Sequence, residues 1–208
     1  MNVVVVGGHS RNIGKTSVMV DLIRGMTPPC WVAVKITQYG HGLCSLDGEQ
    51  CACEPEEHGF VLTEEKDREG RADTCRFLAA GARRSLWLRV RQGQLAPALP
   101  ALHRALRGED WVMVESNSVL GFLKPALYLF VLDPSRQDFK PSARKYLERA
   151  DALVSLDSVS GANPWPDVAD TLLSAKPAFA VSRQDYGSRE LNAFVRGRLG
   201  LEVSLPAG

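Results

Sequence analysis

The chain has 208 residues, 45% of them apolar and 24% charged, with 25 Lys and Arg against 24 Asp and Glu for a formal net charge of +1. Ordinary apolar content excludes collagen-like and disordered classes, and the near-neutral balance supplies no global field for nucleic acid or an anionic membrane surface. No apolar run approaches the ~20 residues that span a bilayer. The N-terminus, Met1-Asn-Val-Val-Val-Val6, lacks a basic leader and a cleavage site, so a cytoplasmic protein is expected.

The first element is Val3 to Val6, a β-branched run closed by Gly7-Gly8, which reads as a strand buried on both faces. From Lys15 to Met26 the pattern becomes helical, with Val18, Leu22 and Ile23 on one face, until Pro28-Pro29 stops it. Trp31 to Ile36 is a second strand, completing a right-handed parallel crossover. Residues 38–70 hold five glycines and one proline among acids and cysteines, show no sustained period, and read as an irregular excursion. Regularity resumes with a helix from Ala72 to Ala82, a strand from Leu86 to Val90, a proline-interrupted helix from Leu95 to Leu106 and a strand from Trp111 to Glu115. Then come strand Ala126–Leu132, helix Ser142–Arg149, strand Ala152–Leu156, helix Val168–Ser174, strand Ala178–Val181 and helix Arg189–Arg198. Strands alternating with helices predict an α/β fold in three layers, a mostly parallel sheet of about seven strands with helices on both faces. Length fits one domain over residues 1–208, with an insert at about 38–62.

Between the first strand and helix lies Gly7-Gly-His-Ser-Arg-Asn-Ile-Gly-Lys-Thr-Ser17. Gly14-Lys15-Thr16 opens a helix directly after a buried strand, the context of a phosphate-binding loop. Its N–H groups and the helix dipole favour an anion. The expected nucleotide contacts are Gly8, Ser10, Asn12, Ile13, Gly14, Lys15, Thr16 and Ser17, with Lys15 on the β- and γ-phosphates and the Thr16 hydroxyl on Mg²⁺. His9 occupies the place of the usual first glycine, so the loop reads G-x₅-G-K-T, a spacing similar to that of dethiobiotin synthetase. The alternative is an ordinary helix start with an exposed lysine. A dinucleotide G-x-G-x-x-G is absent.

Mg²⁺ on such a loop needs an acid at a neighbouring strand end. Glu115 is the first candidate, as metal ligand and catalytic group beside Lys15; Asp133 is the second and Asp73 the third, each with the alternative of a solvated strand end or, for Asp73, a helix cap. Base selection falls on Ser182-Arg-Gln-Asp185, where Asp185 is placed to pair with a purine and Arg183 to stack on it. The similar Ser135-Arg-Gln-Asp138 shows that the pattern is common and that a plain strand-to-helix turn explains it equally. ATP and GTP both remain open.

Three of the five cysteines, Cys44, Cys51 and Cys53, lie between His41 and His58. Three thiols and two imidazoles supply a Cys₃His set of the kind that holds structural Zn²⁺, with an iron–sulfur cluster or unligated thiols as alternatives. The spacing C-x₆-C-x-C differs from common zinc modules. Cys75 fits a core-facing helix position, Cys30 opens an apolar strand, and both are expected to be packing residues. His103 reads as a surface residue.

Val32-Ala-Val-Lys35, Gly70-Arg-Ala-Asp-Thr-Cys-Arg76, Ala80-Gly-Ala82 and Val112-Met-Val-Glu115 together resemble the molybdopterin-guanine dinucleotide biosynthesis protein B family over residues 2–118, with Ser116 where that family has glycine. The resemblance implies a GTP-binding P-loop fold, often a homodimer, serving molybdenum-cofactor maturation with a partner protein. The insert and the chain after Gly121 depart from that family. The expectation is therefore a Mg-dependent NTPase in cofactor or metal-centre maturation. The alternatives are an ATP-dependent ligase or kinase of the dethiobiotin synthetase type, and a metal-binding carrier that holds nucleotide without turnover.

Overall fold

A computed structural model describes residues 1–26, 29–39, 59–157 and 163–201. In chain order the elements are β1 (Asn2–Gly8), α1 (Lys15–Gly25), β2 (Val32–Tyr39), β3 (Phe60–Glu64), α2 (Asp73–Ala79), β4 (Arg84–Arg91), α3 (Leu95–Ala105) and β5 (Trp111–Glu115). A short 3₁₀ turn, Ser118–Gly121, leads to β6 (Leu127–Leu132), α4 (Pro141–Leu147), β7 (Ala152–Leu156), α5 (Asp170–Ser174), β8 (Ala178–Val181) and α6 (Arg189–Leu199). The strands form one sheet in the order β3-β4-β2-β5-β1-β6-β7-β8.

Period-two alternation divides the β-branched runs between two cores. Val3 and Val5 of β1, with Val32, Val34, Val112 and Val114, face α3 and α4, where Leu95, Ala98, Leu102, Ala143 and Leu147 cover them. Val4 and Val6, with Ala33 and Met113, face α1, α2 and α6 through Val18, Met19, Leu22, Phe77, Leu191 and Val195. Coverage on both faces explains why these strands read as continuous apolar stretches rather than as alternating ones.

Every described strand pair is parallel except β3 with β4. Among the described residues the sheet has eight strands, in keeping with the expected mostly parallel sheet of about seven, the extra one being Phe60–Glu64, an antiparallel edge that runs from Phe60 opposite Val90 to Glu64 opposite Leu86. An edge strand with only three apolar residues, none of them fully buried, carries no alternation to read. Arg84 fixes this edge by pairing with Glu64 (Nη2–Oε2 2.8 Å) and with the buried Glu109 (Nη1–Oε1 2.9 Å). Pro100 does not interrupt α3; it lies inside a continuous helix. Cys75 is buried as expected, but Cys30 is exposed, because its strand starts two residues later, at Val32. His103 is exposed. No helix among the described residues is long and apolar enough to cross a membrane.

The central strand β1 has β5 on one side and β6 on the other. From it the chain crosses through α1 to β2, while β6, β7 and β8 extend the opposite half of the sheet. The carboxyl end of β1 is thus the point where the winding reverses, the place where open α/β sheets bind ligands.

Candidate nucleotide site

The β1–α1 connection leaves the sheet at this point. Gly8 passes where a Cβ would come within 2.8 Å of the Val131 carbonyl and 2.7 Å of Ile13 Cδ1, so only glycine fits. Asn117 clamps its backbone from the end of β5: Gly8 N–H donates to Asn117 Oδ1 (2.9 Å) and Asn117 Nδ2 donates to the Gly8 carbonyl (2.8 Å). Gly14 precedes α1 with φ of 83°, and Tyr186 packs over it closely enough to exclude a side chain. No side chain caps α1, whose first turn holds no acid, so its leading N–H groups keep their affinity for an anion. The Lys15 ammonium folds onto the loop and donates to the Ser10 carbonyl (2.6 Å). Burial lowers its pKa, opposed by Glu115 and reinforced by Lys35 and Arg11. The fold is a three-layer α/β arrangement with this glycine-bounded, uncapped strand-to-helix loop at the carboxyl end of its central strand.

A polar chain runs from α1 across the sheet ends. The buried Thr16 hydroxyl donates to Glu115 Oε2 (2.7 Å). The other carboxylate oxygen of Glu115 faces Lys35 Nζ at 3.6 Å, and Lys35 also pairs with Asp73. Arg76 closes the row, contacting Asp73 Oδ1 at 3.4 Å and donating to the Ser17 hydroxyl at 2.9 Å. Burial works against the Lys35 charge, but Glu115 and Asp73 outweigh it and raise its pKa. Four short sequence patterns spread over a hundred residues therefore meet around Thr16. Asp73 does not cap α2; it stands in the first turn after Ala72 and spends its carboxylate on Lys35 and Arg76.

The opposite wall was not readable in the sequence. His9 is fully buried, against Trp165 and Phe139 with ring centroids 4.9 and 5.3 Å away. The Asp133 N–H donates to His9 Nε2 (3.0 Å), and His9 Nδ1 lies 2.8 Å from the Asp138 carbonyl. A backbone N–H only donates and a carbonyl only accepts, so the ring is neutral and carries its proton on Nδ1. Burial lowers its pKa, outweighing Asp138 and Asp133. The Ser10 hydroxyl bonds Asp138, and the Lys140 N–H donates to the His9 carbonyl (2.9 Å). The β6–α4 connection thus holds the loop in place of the missing first glycine.

Together these walls enclose a cleft of about 520 Å³ lined by Gly8, Ser10, Asn12, Lys15, Glu115 and Lys140, with Arg11, Lys35, Gln38, Gln92 and Asn117 also on its walls. Ile13 is buried beneath the loop in the α1-side core, and Ser17 is held by Arg76. Asp133 does not line the cleft. Its carboxylate is fully buried, where Oδ1 accepts from Ser135 N (3.0 Å), Ser135 Oγ (2.7 Å) and Arg183. Burial opposes its charge, yet the Arg183 and Ser135 hydrogen bonds hold its pKa below the ordinary value. Arg183 also reaches Asp157 Oδ2 (3.2 Å), which ties together the ends of β6, β7 and β8. Asp185 is exposed and accepts from Gly187 N (3.0 Å) within its own turn, outside the cleft. His41, Cys44, Cys51, Cys53 and His58 lie outside the described residues. Among those described, no group of three or more His, Cys, Asp and Glu side chains is placed to hold a metal.

No protein-family model matches the sequence, and no curated protein matches it significantly. Among solved structures, the chain is similar to HypB from Helicobacter pylori, solved in complex with nickel, at 15% identity over 98% of this chain and 91% of that one, with a TM-score of 0.49. It is also similar to LpxK from Aquifex aeolicus, an "apo" form solved in complex with ATP, at 17% identity over 86% of this chain and 53% of that one, with a TM-score of 0.47.

Proposed function

We propose that the chain binds a nucleoside triphosphate with Mg²⁺ at the β1–α1 loop and acts on its terminal phosphate as an NTPase. One observation carries this reading: the Thr16 hydroxyl, next to Lys15 at an uncapped helix start, is hydrogen-bonded to a buried carboxylate at the end of the adjacent strand. Lys15 would leave the Ser10 carbonyl for the β- and γ-phosphates, and the first-turn N–H groups of α1 would hold the phosphate oxygens. The donor set of Thr16 and Glu115 fits Mg²⁺, a hard cation that takes one or two protein oxygens and completes its shell with phosphate and water. When bound there, it neutralises charge on the phosphates. Lys35 fixes Glu115 in place, and the Asn117 amide holds the Gly8 backbone, so the loop is preorganised.

A place in cofactor or metal-centre maturation rests on the sequence resemblance and on the cysteine–histidine segment, whose metal is a separate question. A kinase or ligase is the second reading, favoured by a cleft whose lining extends beyond the loop to Gln38 and Gln92. Calorimetry with Mg·ATP and Mg·GTP tests the first reading. The expected outcome is tight binding of one or both, lost by at least about a hundredfold in Lys15→Ala, consistent with deleting a charge-assisted phosphate contact. Unchanged binding by Lys15→Ala would overturn it. Phosphorylation of a small acceptor in place of hydrolysis would select the second reading, and elemental analysis of the purified protein reports any metal in the cysteine–histidine segment.

A further inference from the structure

We infer that Lys140 is a second phosphate ligand, which binds the terminal phosphate of the nucleotide from the wall built by the β6–α4 connection. This rests on the nucleotide reading above and adds a residue that no loop motif contains.

Lys140 lines the same cleft as Lys15 and Glu115. Its backbone is fixed at both ends, because its N–H donates to the His9 carbonyl (2.9 Å) and its own carbonyl accepts from Ala143 and Arg144 (3.0 Å each). Its ammonium, by contrast, makes no hydrogen bond or ion pair among the described residues. The acid that acts on it, Asp138, is engaged by the Ser10 hydroxyl. Lys35 is already matched by Asp73 and Glu115. Two ammonium groups lining the cleft, Lys15 and Lys140, therefore have no carboxylate ion pair among the described residues.

The position costs stability. A cation at the N-terminal end of α4 opposes the helix dipole. Burial, with Arg11 and Lys15 nearby and only Asp138 opposing, lowers the Lys140 pKa to about 8. An anchored backbone, a half-buried and unpaired head group, and a crowd of like charge all become favourable once a dianion lies between them. The α1 N-terminus holds the inner phosphates and Lys15 bridges the β- and γ-phosphates from the loop, so a second ammonium on the β6–α4 wall of the same cleft falls to the phosphate that a triphosphate adds over a diphosphate.

The test compares a non-hydrolysable triphosphate with the diphosphate of the same nucleoside by calorimetry at pH 7, where Lys140 is charged, using full-length wild-type, Lys140→Met, Lys140→Arg and Lys15→Ala chains. Lys140→Met is expected to weaken the triphosphate about tenfold, the loss of one charge-assisted contact, while the diphosphate changes by less than about twofold. Lys140→Arg, which keeps the charge, is expected to restore most of the difference. Equal weakening of both nucleotides, or no change in either, overturns the inference while leaving the nucleotide reading intact if Lys15→Ala still abolishes binding. Failure of the wild-type chain to bind any triphosphate overturns both.

Discussion

His9 offers the sharpest physical prediction. Its ring is wholly buried, accepts from the Asp133 N–H at 3.0 Å through Nε2, and offers its Nδ1 proton to the Asp138 carbonyl at 2.8 Å. His9→Phe keeps the ring volume and the contacts with Trp165 and Phe139 but leaves the Asp133 N–H without an acceptor, at a cost of about 1–3 kcal/mol. Acid attacks the same bond in the native protein, since a proton on Nε2 would face an N–H donor. Burial holds the folded pKa below the ordinary value of 6.5. The unfolded chain therefore binds the proton first. Stability from His9 is complete above pH ~6.5 and is lost as pH falls toward the folded pKa, with a slope of up to about 1.4 kcal/mol per pH unit. Urea unfolding of wild-type and His9→Phe chains between pH 5 and 8 measures both effects. The variant should be about 1–3 kcal/mol less stable at pH 7.5, and the gap should narrow steadily below pH 6.5. The chain has three other histidines, present in both proteins, so the difference between the two curves isolates His9. Parallel curves over that range, or equal stability at pH 7.5, would refute the buried neutral imidazole.

Gly8→Ala should destabilise the chain by about 1–3 kcal/mol, because the new methyl meets the Val131 carbonyl at 2.8 Å; a thermal melt within error of wild-type would show that the loop has room. Thr16→Ala should cost about 1 kcal/mol of stability through its hydrogen bond to Glu115 and remove the Mg²⁺ dependence of triphosphate affinity; a variant that still responds to EDTA as wild-type does would place the metal elsewhere. Arg183→Met should leave Asp133 buried with only Ser135 as partner, at about 1–2 kcal/mol after allowing for the exposed guanidinium. Asp133 has its folded pKa held low, so its contribution is present above the carboxylate range and lost as pH falls through that folded value; in the variant the loss should begin at higher pH, and an unchanged acid limb of the stability curve would count against the pairing.

What could be read from the sequence was local. The buried strands and the Gly14-Lys15-Thr16 turn are runs of neighbouring residues whose spacing carries the signal. Lys35, Asp73 and Glu115 stood in short patterns, and the parallel register of β2 with β5, which sets Lys35 beside Glu115, brings two of them together. His9 had no such signal: its partners are 124 and 129 residues away, and a histidine where the usual loop has glycine looks like a simple departure. The signal, in retrospect, was the departure itself, since a loop lacking its first glycine must be held by something else. Asp133 was the right type of residue at the right strand end, but Arg183, fifty residues later, takes its carboxylate. Sequence spacing places an acid at a strand end; only packing decides which cation reaches it. Cys30 was misplaced for a simpler reason: β2 starts two residues later, leaving its thiol in the exposed turn.

Net charge hid the local field for a related reason. A balance of 25 against 24 is compatible with every charge being matched, yet the cleft is not matched. Glu115, the acid that lines it, is committed to Thr16 and Lys35, and the acids beside it are engaged as well, Asp73 by Lys35 and Arg76 and Asp138 by Ser10. The two ammonium groups without a carboxylate, Lys15 and Lys140, are also two lysines whose pKa values burial and like charge lower. A lowered lysine pKa means that the protein pays to keep the cation protonated. An anion bound between them would relieve that cost at both groups at once, and at the helix start, whose N–H groups have no side-chain cap. The strain is therefore concentrated where a polyphosphate would release it, which a neutral whole-chain total cannot reveal.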